Sequence, residues 1–216
     1  MEIKPEPIGQ IILRCQELNQ QNTQGSEPQF ILEKKKVPSE ESIIERMKYS
    51  GVPPLFRQGD PLKIDSDLWK QAIEFFEGNK GLYIFGPIGT GKTYFCSALI
   101  REHFNRSGTQ NLRMISTPEL FLKIKSTFQN KTGITDSEDS IINEYSGSEQ
   151  GWGFPAKILF LDDIGIEKPS EWALQTLYTI IDRRYSNIRK TVFTSNLSLD
   201  SLSERLGDRI PSRIAE

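Results

Sequence analysis

Gly86-Pro87-Ile88-Gly89-Thr90-Gly91-Lys92-Thr93 is the stretch whose residue types state a chemistry most plainly. Its spacing is G-x-x-x-x-G-K-[ST], the pattern of a phosphate-binding loop. Gly86, Gly89 and Gly91 free the backbone to curl, so that successive N–H groups aim at one anion. Lys92 brings a charge for the β- and γ-phosphates, and Thr93 a hydroxyl for Mg²⁺. The helix that opens here, with Tyr94 in its first turn, adds the positive end of its dipole. A chance glycine-rich turn would not need the flanking pattern. Leu82-Tyr83-Ile84-Phe85 reads as a buried strand before the loop, and Thr93–Phe104 as a helix after it.

A second set of groups fits the same chemistry. The apolar run Lys157-Ile158-Leu159-Phe160-Leu161 ends in Asp162-Asp163. Downstream of a phosphate loop, Asp162 can hold Mg²⁺ through water beside Thr93, and Asp163 can orient or deprotonate an attacking water. Asn196 follows the strand Thr191–Ser195; it can position that water or touch the γ-phosphate, or it can simply start a turn. Arg209 and Arg213 stand where a subunit edge could present them to a neighbour's nucleotide, although each alone could be a surface arginine.

Elements must bring these groups together. Leu112–Ser116 is a further strand, and strands alternating with helices imply parallel βαβ units and an α/β fold. Ser39 and Asp65 cap helices carrying Ile43, Ile44 and Met47, then Leu68, Ala72, Phe75 and Phe76; Gly51 stops the first. Thr117-Pro118 starts a helix with Leu120, Ile124 and Phe128 on one side. Lys123 and Lys125 lie on another side; with Arg113 they are candidate DNA contacts or a solvated face. Ser170 caps a long helix, and Leu199, Leu202 and Leu206 mark a last one closed by Gly207. The polar stretch Asn130–Gly153 reads as a long, partly mobile insertion. Ile8, Ile11, Ile12, Cys15 and Leu18 sit at helical spacing, suggesting a short amphipathic helix that docks on the main domain or in a partner's groove. A linker and the charge run Lys34–Lys36 follow it.

Composition narrows the classes. With 216 residues, 36% hydrophobic and 26% charged, the chain is long enough for one α/β domain and a small appendage. A net charge of −2 announces no nucleic-acid binder, though it leaves room for a local basic patch. Two distant cysteines make neither a disulfide framework nor a zinc set, and the single histidine, His103, excludes a multi-histidine metal site. The expectation is a cytoplasmic protein with no signal peptide and no membrane partner.

Taken in order, the motifs resemble the DnaC/DnaI/IstB group of AAA+ ATPases. They are Ser50-Gly51-Val52-Pro53-Pro54, the phosphate loop, Ile158–Gly165, Ile181-Asp182-Arg183-Arg184-Tyr185, Phe193–Leu197 and Leu206–Arg213. The resemblance implies an AAA+ core over residues 49–216 with helices on both faces of a parallel sheet, in the order 5-1-4-3-2. Residues 1–48 would then form a helical partner-binding segment and linker. It implies ATP and Mg²⁺ as ligands, Asn196 as sensor 1, Arg213 as a finger acting across a homo-oligomer with Arg209 close by, and Val52, Pro53 and Phe56 at the adenine. Two departures follow. The second acid is aspartate where many AAA+ proteins have glutamate, which leaves Glu167 as an alternative base. Only four core strands are readable, so the fifth, needed to cover the edge of the strand before the loop, is expected beyond residue 216, in a core truncated at its C-terminus. The activity implied is ATP-driven loading of a replicative DNA helicase onto single-stranded DNA. Alternatives are an IstB-like helper of a transposase on duplex DNA and an ATP-switched binding module with negligible turnover.

Overall fold

The structure, a computed structural model, describes residues 12–15, 38–77, 81–106, 111–128, 137–148, 155–165 and 169–215. In chain order the elements are β1 (Ile12–Cys15), α1 (Glu40–Tyr49), α2 (Ser66–Glu77), β2 (Leu82–Phe85), α3 (Lys92–Arg106), β3 (Leu112–Ser116) and α4 (Thr117–Thr127). There follow α5 (Glu138–Ser146), β4 (Ile158–Asp162), α6 (Glu171–Ser186), β5 (Lys190–Ser195), α7 (Leu199–Leu206) and α8 (Arg209–Ala215). Short 3₁₀ turns at Pro54–Phe56 and Pro61–Lys63 join α1 to α2.

The sheet order is β1-β2-β5-β4-β3. β2, β5, β4 and β3 run parallel, which reproduces the 1-4-3-2 part of the expected order. Every residue of β4 is buried, as a strand covered on both faces requires. One face carries Ile43, Met47, Val52, Phe95 and Leu99, from α1, α3 and the segment after α1. The other carries Leu120, Leu177, Leu202, Ile210 and Ile214, from α4, α6, α7 and α8. Ser39 and Ser170 cap their helices as the sequence suggests, each accepting from the N–H three residues on, and Ser116, not read as a cap, does the same for α4. Gly51 is a glycine for a steric reason. Its φ is +88°, and a Cβ there would lie 2.3 Å from the carbonyl oxygen of Met114 on β3.

Three expectations change. The residues Ile12–Cys15, read as part of a helix, form β1 and pair antiparallel with β2, Ile12 opposite Phe85 and Cys15 opposite Leu82. A four-residue segment with three apolar residues and Arg14 is too short to fix either period, and the open edge of β2 offers it a ladder of backbone partners, whereas so short a helix is marginal by itself. The rest of that expected helix lies outside the described residues, as do the charge run and Glu167. β1 thereby takes the position reserved for a fifth strand beyond residue 216, and the bare edge that motivated that strand is covered. The stretch read as a loop from Asn130 contains α5, capped by Ser137 and stopped by Gly147 at φ 69°. The α8 helix, not read as a helix from the sequence although Ile210 and Ile214 stand four apart, closes the described chain.

Candidate nucleotide site

The loop leaves the sheet at Gly86, whose N–H donates to the carbonyl of Ser195 at the end of β5 (3.2 Å). Gly89 and Gly91 take φ of +84° and +82°, with nothing within 4 Å of a Cβ at either. Backbone conformation, not crowding, calls for glycine there. Thr90 Oγ1 donates to the Pro87 carbonyl at 2.9 Å and Ile88 projects from the tip, 86% exposed.

Lys92 opens α3 and is buried. Its Nζ donates to the carbonyls of Gly86 and Pro87, both at 2.9 Å, and to Asn196 Oδ1 at 2.7 Å. Burial pushes its pKa down, while the carboxylates of Asp163 and Asp162 pull the other way. Thr93 Oγ1 donates to Asp162 Oδ2 at 2.9 Å, so the hydroxyl and carboxylate of the two motifs meet. Asp163 is half-buried, with backbone φ of +60°. Burial first, then the neighbouring Asp162, raises its pKa, against an opposing effect of Lys92. β5 and α7 hold the turn that carries it. Ile164 N–H donates to the Thr194 carbonyl at 2.8 Å, Ser195 Oγ donates to the Ile164 carbonyl at 2.7 Å, and Arg205 Nη1 donates to the Gly165 carbonyl at 2.7 Å.

Other candidates stand apart from this cluster. Arg213 Nε donates to Asp182 Oδ1 at 2.9 Å, and its guanidinium lies 4.6 Å from the Tyr185 ring centre. Arg209 lies 6.0 Å from the ring of Tyr178. Both therefore belong to the packing between α8 and α6. Tyr94, expected at the phosphates, has its hydroxyl on the Asp60 N–H at 2.7 Å and ties α3 to the segment before α2. Val52 is buried and Phe56 packs on the same core, while Pro53 is exposed. Arg113 and Lys123 share Glu144 of α5, at 2.7 and 3.2 Å, and Lys125 lies 5.3 Å from the Trp172 ring. Two of the three proposed DNA contacts are thus ion-paired within the chain.

The donor set suits Mg²⁺. A hard cation of this kind takes one or two protein oxygens, waters and substrate phosphates. Thr93 and Asp162 supply such oxygens, and among the described residues no group of three or more His, Cys, Asp or Glu could hold a metal by itself. Sequence reasoning missed Thr194 and Ser195 as site residues, although both stand in the Thr-Ser-Asn run, directly before Asn196.

Four parallel strands, an inner one of which feeds a glycine loop while the strand two positions away ends in acids beside it, define a P-loop nucleotide-binding domain. The family model for "IstB-like ATP binding protein" matches residues 56–213, and the chain belongs to that family. It is 28% identical over 146 residues to the replicative helicase loader DnaC of Escherichia coli (strain K12), covering 67% of this chain and 54% of the relative. The chain thus spans about half the length of that relative. The helicase loader DnaI of Bacillus subtilis (strain 168) is 28% identical over 138 residues, which cover 63% of this chain and 39% of DnaI. The crystal structure of the DnaC helicase loader shares the fold, with a TM-score of 0.61 at 21% identity over 75% of this chain and 94% of that one. Among the described residues no helix is long and apolar enough to cross a membrane.

Proposed function

We propose that this chain is the ATPase core of a loader that places a replicative DNA helicase on single-stranded DNA. The observation that carries the nucleotide half is the meeting of Thr93 with Asp162 and of Lys92 with Asn196. The client half rests on the likeness to DnaC and DnaI. In this reading the loop amides and Lys92 bind the phosphates, and Thr93 and Asp162 would hold Mg²⁺, which would supply neutralisation of the phosphate charge. Asp163 takes the proton of the attacking water, and Asn196 orients that water. Arg213 serves a neighbouring copy's nucleotide, which requires it to leave Asp182. Residues 1–48 recruit the client, with β1 in place of the expected helix over Ile12–Cys15.

A second reading, an ATP-driven helper of a transposase on duplex DNA, is compatible with membership of the family described as IstB-like ATP binding protein. One experiment separates the two. Native mass is measured with ATP, single-stranded or duplex DNA, and the helicase of the source organism, for wild type and for Lys92→Ala. A discrete helicase complex that dissolves on DNA loading, and that Lys92→Ala cannot dissolve, is expected. ATP-dependent assembly on duplex DNA without helicase binding would overturn the loader in favour of the transposition helper. Assembly without phosphate release would reduce the protein to a nucleotide switch.

A further inference from the structure

We propose that Thr194 is the positioning residue for both acids of the site, and that its hydroxyl couples the Mg²⁺-holding carboxylate to the water-facing one. The inference rests on the nucleotide reading above, but on no client. Thr194 lies in β5, two residues before Asn196, and is 1% exposed. Its Oγ1 donates to Asp162 Oδ1 and accepts the backbone N–H of Asp163 at 2.9 Å. A hydroxyl has one proton to give. Giving it to Asp162 leaves only lone pairs for Asp163, so both bonds have fixed directions. The Asp162 carboxylate is then held between two threonines: Thr194 of β5 on Oδ1 and Thr93 of α3 on Oδ2. Its plane is set by two different elements, and the edge facing Thr93 is the edge on which a cation would sit.

The second bond controls Asp163. That residue has the left-handed φ of +60°, which a non-glycine residue keeps only when its surroundings hold it. The Thr194 hydroxyl on its N–H and the Thr194 carbonyl on the Ile164 N–H are two of those holds. The direction in which the Asp163 side chain leaves the backbone therefore depends on a fully buried residue of the neighbouring strand. Thr117 adds a third hold behind the pair, its Oγ1 donating to the Asp162 carbonyl at 3.2 Å.

The test compares Thr194→Val, which keeps the branched shape and loses the hydroxyl, with Thr194→Ser, which keeps the hydroxyl. The readout is the affinity for a fluorescent ATP analogue with Mg²⁺ and with EDTA, together with kcat and KM for phosphate release. In Thr194→Val the gain in affinity that Mg²⁺ brings is expected to shrink about 10-fold, the worth of a hydrogen bond to a charged group. Affinity in EDTA stays near wild type, and kcat falls more than KM rises. Thr194→Ser restores both. If Thr194→Val does not fold, Thr194→Cys, which has the shape of the serine variant but only a weak donor, is compared with Thr194→Ser in the same way. An unchanged Mg²⁺ dependence in the valine or cysteine variant overturns the proposal. So does equal weakening with Mg²⁺ and with EDTA that serine fails to rescue, since that is the mark of a merely structural threonine. A wild type that binds no ATP under either condition overturns the nucleotide reading, and this proposal with it.

Discussion

At the scale of single residues, the site concentrates charge where burial works against it. Asp163 has a raised pKa because it is half-buried and sits beside Asp162. Folded, it holds its proton more tightly than it does unfolded, so its ionisation costs folding free energy that grows as pH rises through that window. Asp163→Asn removes the cost and keeps the shape. The variant is expected to melt at a higher temperature at neutral pH, to bind ATP and Mg²⁺ as wild type does, and to release no phosphate. A calorimetric scan beside a steady-state phosphate assay checks it; a turning-over Asp163→Asn would take the base role away from Asp163. The acids, the lysine and the threonine of this site were legible in the sequence because each stands at a fixed offset from an apolar run. Thr194 was not, because nothing in a strand's pattern says which of its hydroxyls faces a carboxylate.

At the scale of elements, Arg184 ties three of them together. The side chain is buried, and its donors reach Thr191 Oγ1 and the carbonyls of Tyr145, Ala156, Lys157 and Lys190, at 2.8 to 3.3 Å. The end of α5, the approach to β4 and the start of β5 thereby meet on one planar fork. Burial, and then Arg189, pushes its pKa down to about 9, so the cation is kept by neutral oxygens. Arg184→Leu would leave those carbonyls without a donor, at a cost of about 3 kcal/mol or more. Chemical denaturation should show that loss, with Arg184→Lys intermediate, because an ammonium cannot span the fork. A loss below about 1 kcal/mol would mean that water takes over the carbonyls. The resemblance marked Arg184 only as part of an Asp-Arg-Arg-Tyr run; its role came from α5, an element that the polar composition of its segment had concealed.

At the scale of the molecule, one group reports on folding as a whole. His103 is buried in α3, and its pKa is pushed down from 6.5 to about 4 by burial, with Lys190 adding to the effect. The unfolded chain therefore binds a proton that the folded one refuses between those values, and stability falls as pH drops through the window. The effect is on the order of 3 kcal/mol at most. Stability measured from pH 7 to 4 should slope downward in wild type and lose much of that slope in His103→Gln; an identical slope would assign acid lability to the carboxylates instead. β1 belongs to this scale too. It joins residues far apart in the chain, and Ile12 opposite Phe85 puts the N-terminal segment one residue from Gly86, where the phosphate loop begins.

The sequence by itself determined the phosphate loop, the four parallel strands, the capped helices and the family, because each rests on local spacing, on burial or on motifs in order. Tertiary structure decided the remainder. β1 exists as a strand because β2 had an edge to fill, Arg213 sits on Asp182 because α8 folds against α6, and Arg113 and Lys123 converge on Glu144 because α5 brings that carboxylate to both. In each case the outcome depends on which neighbour, distant in sequence, offers the complementary hydrogen bond or charge, and no local pattern encodes that partner.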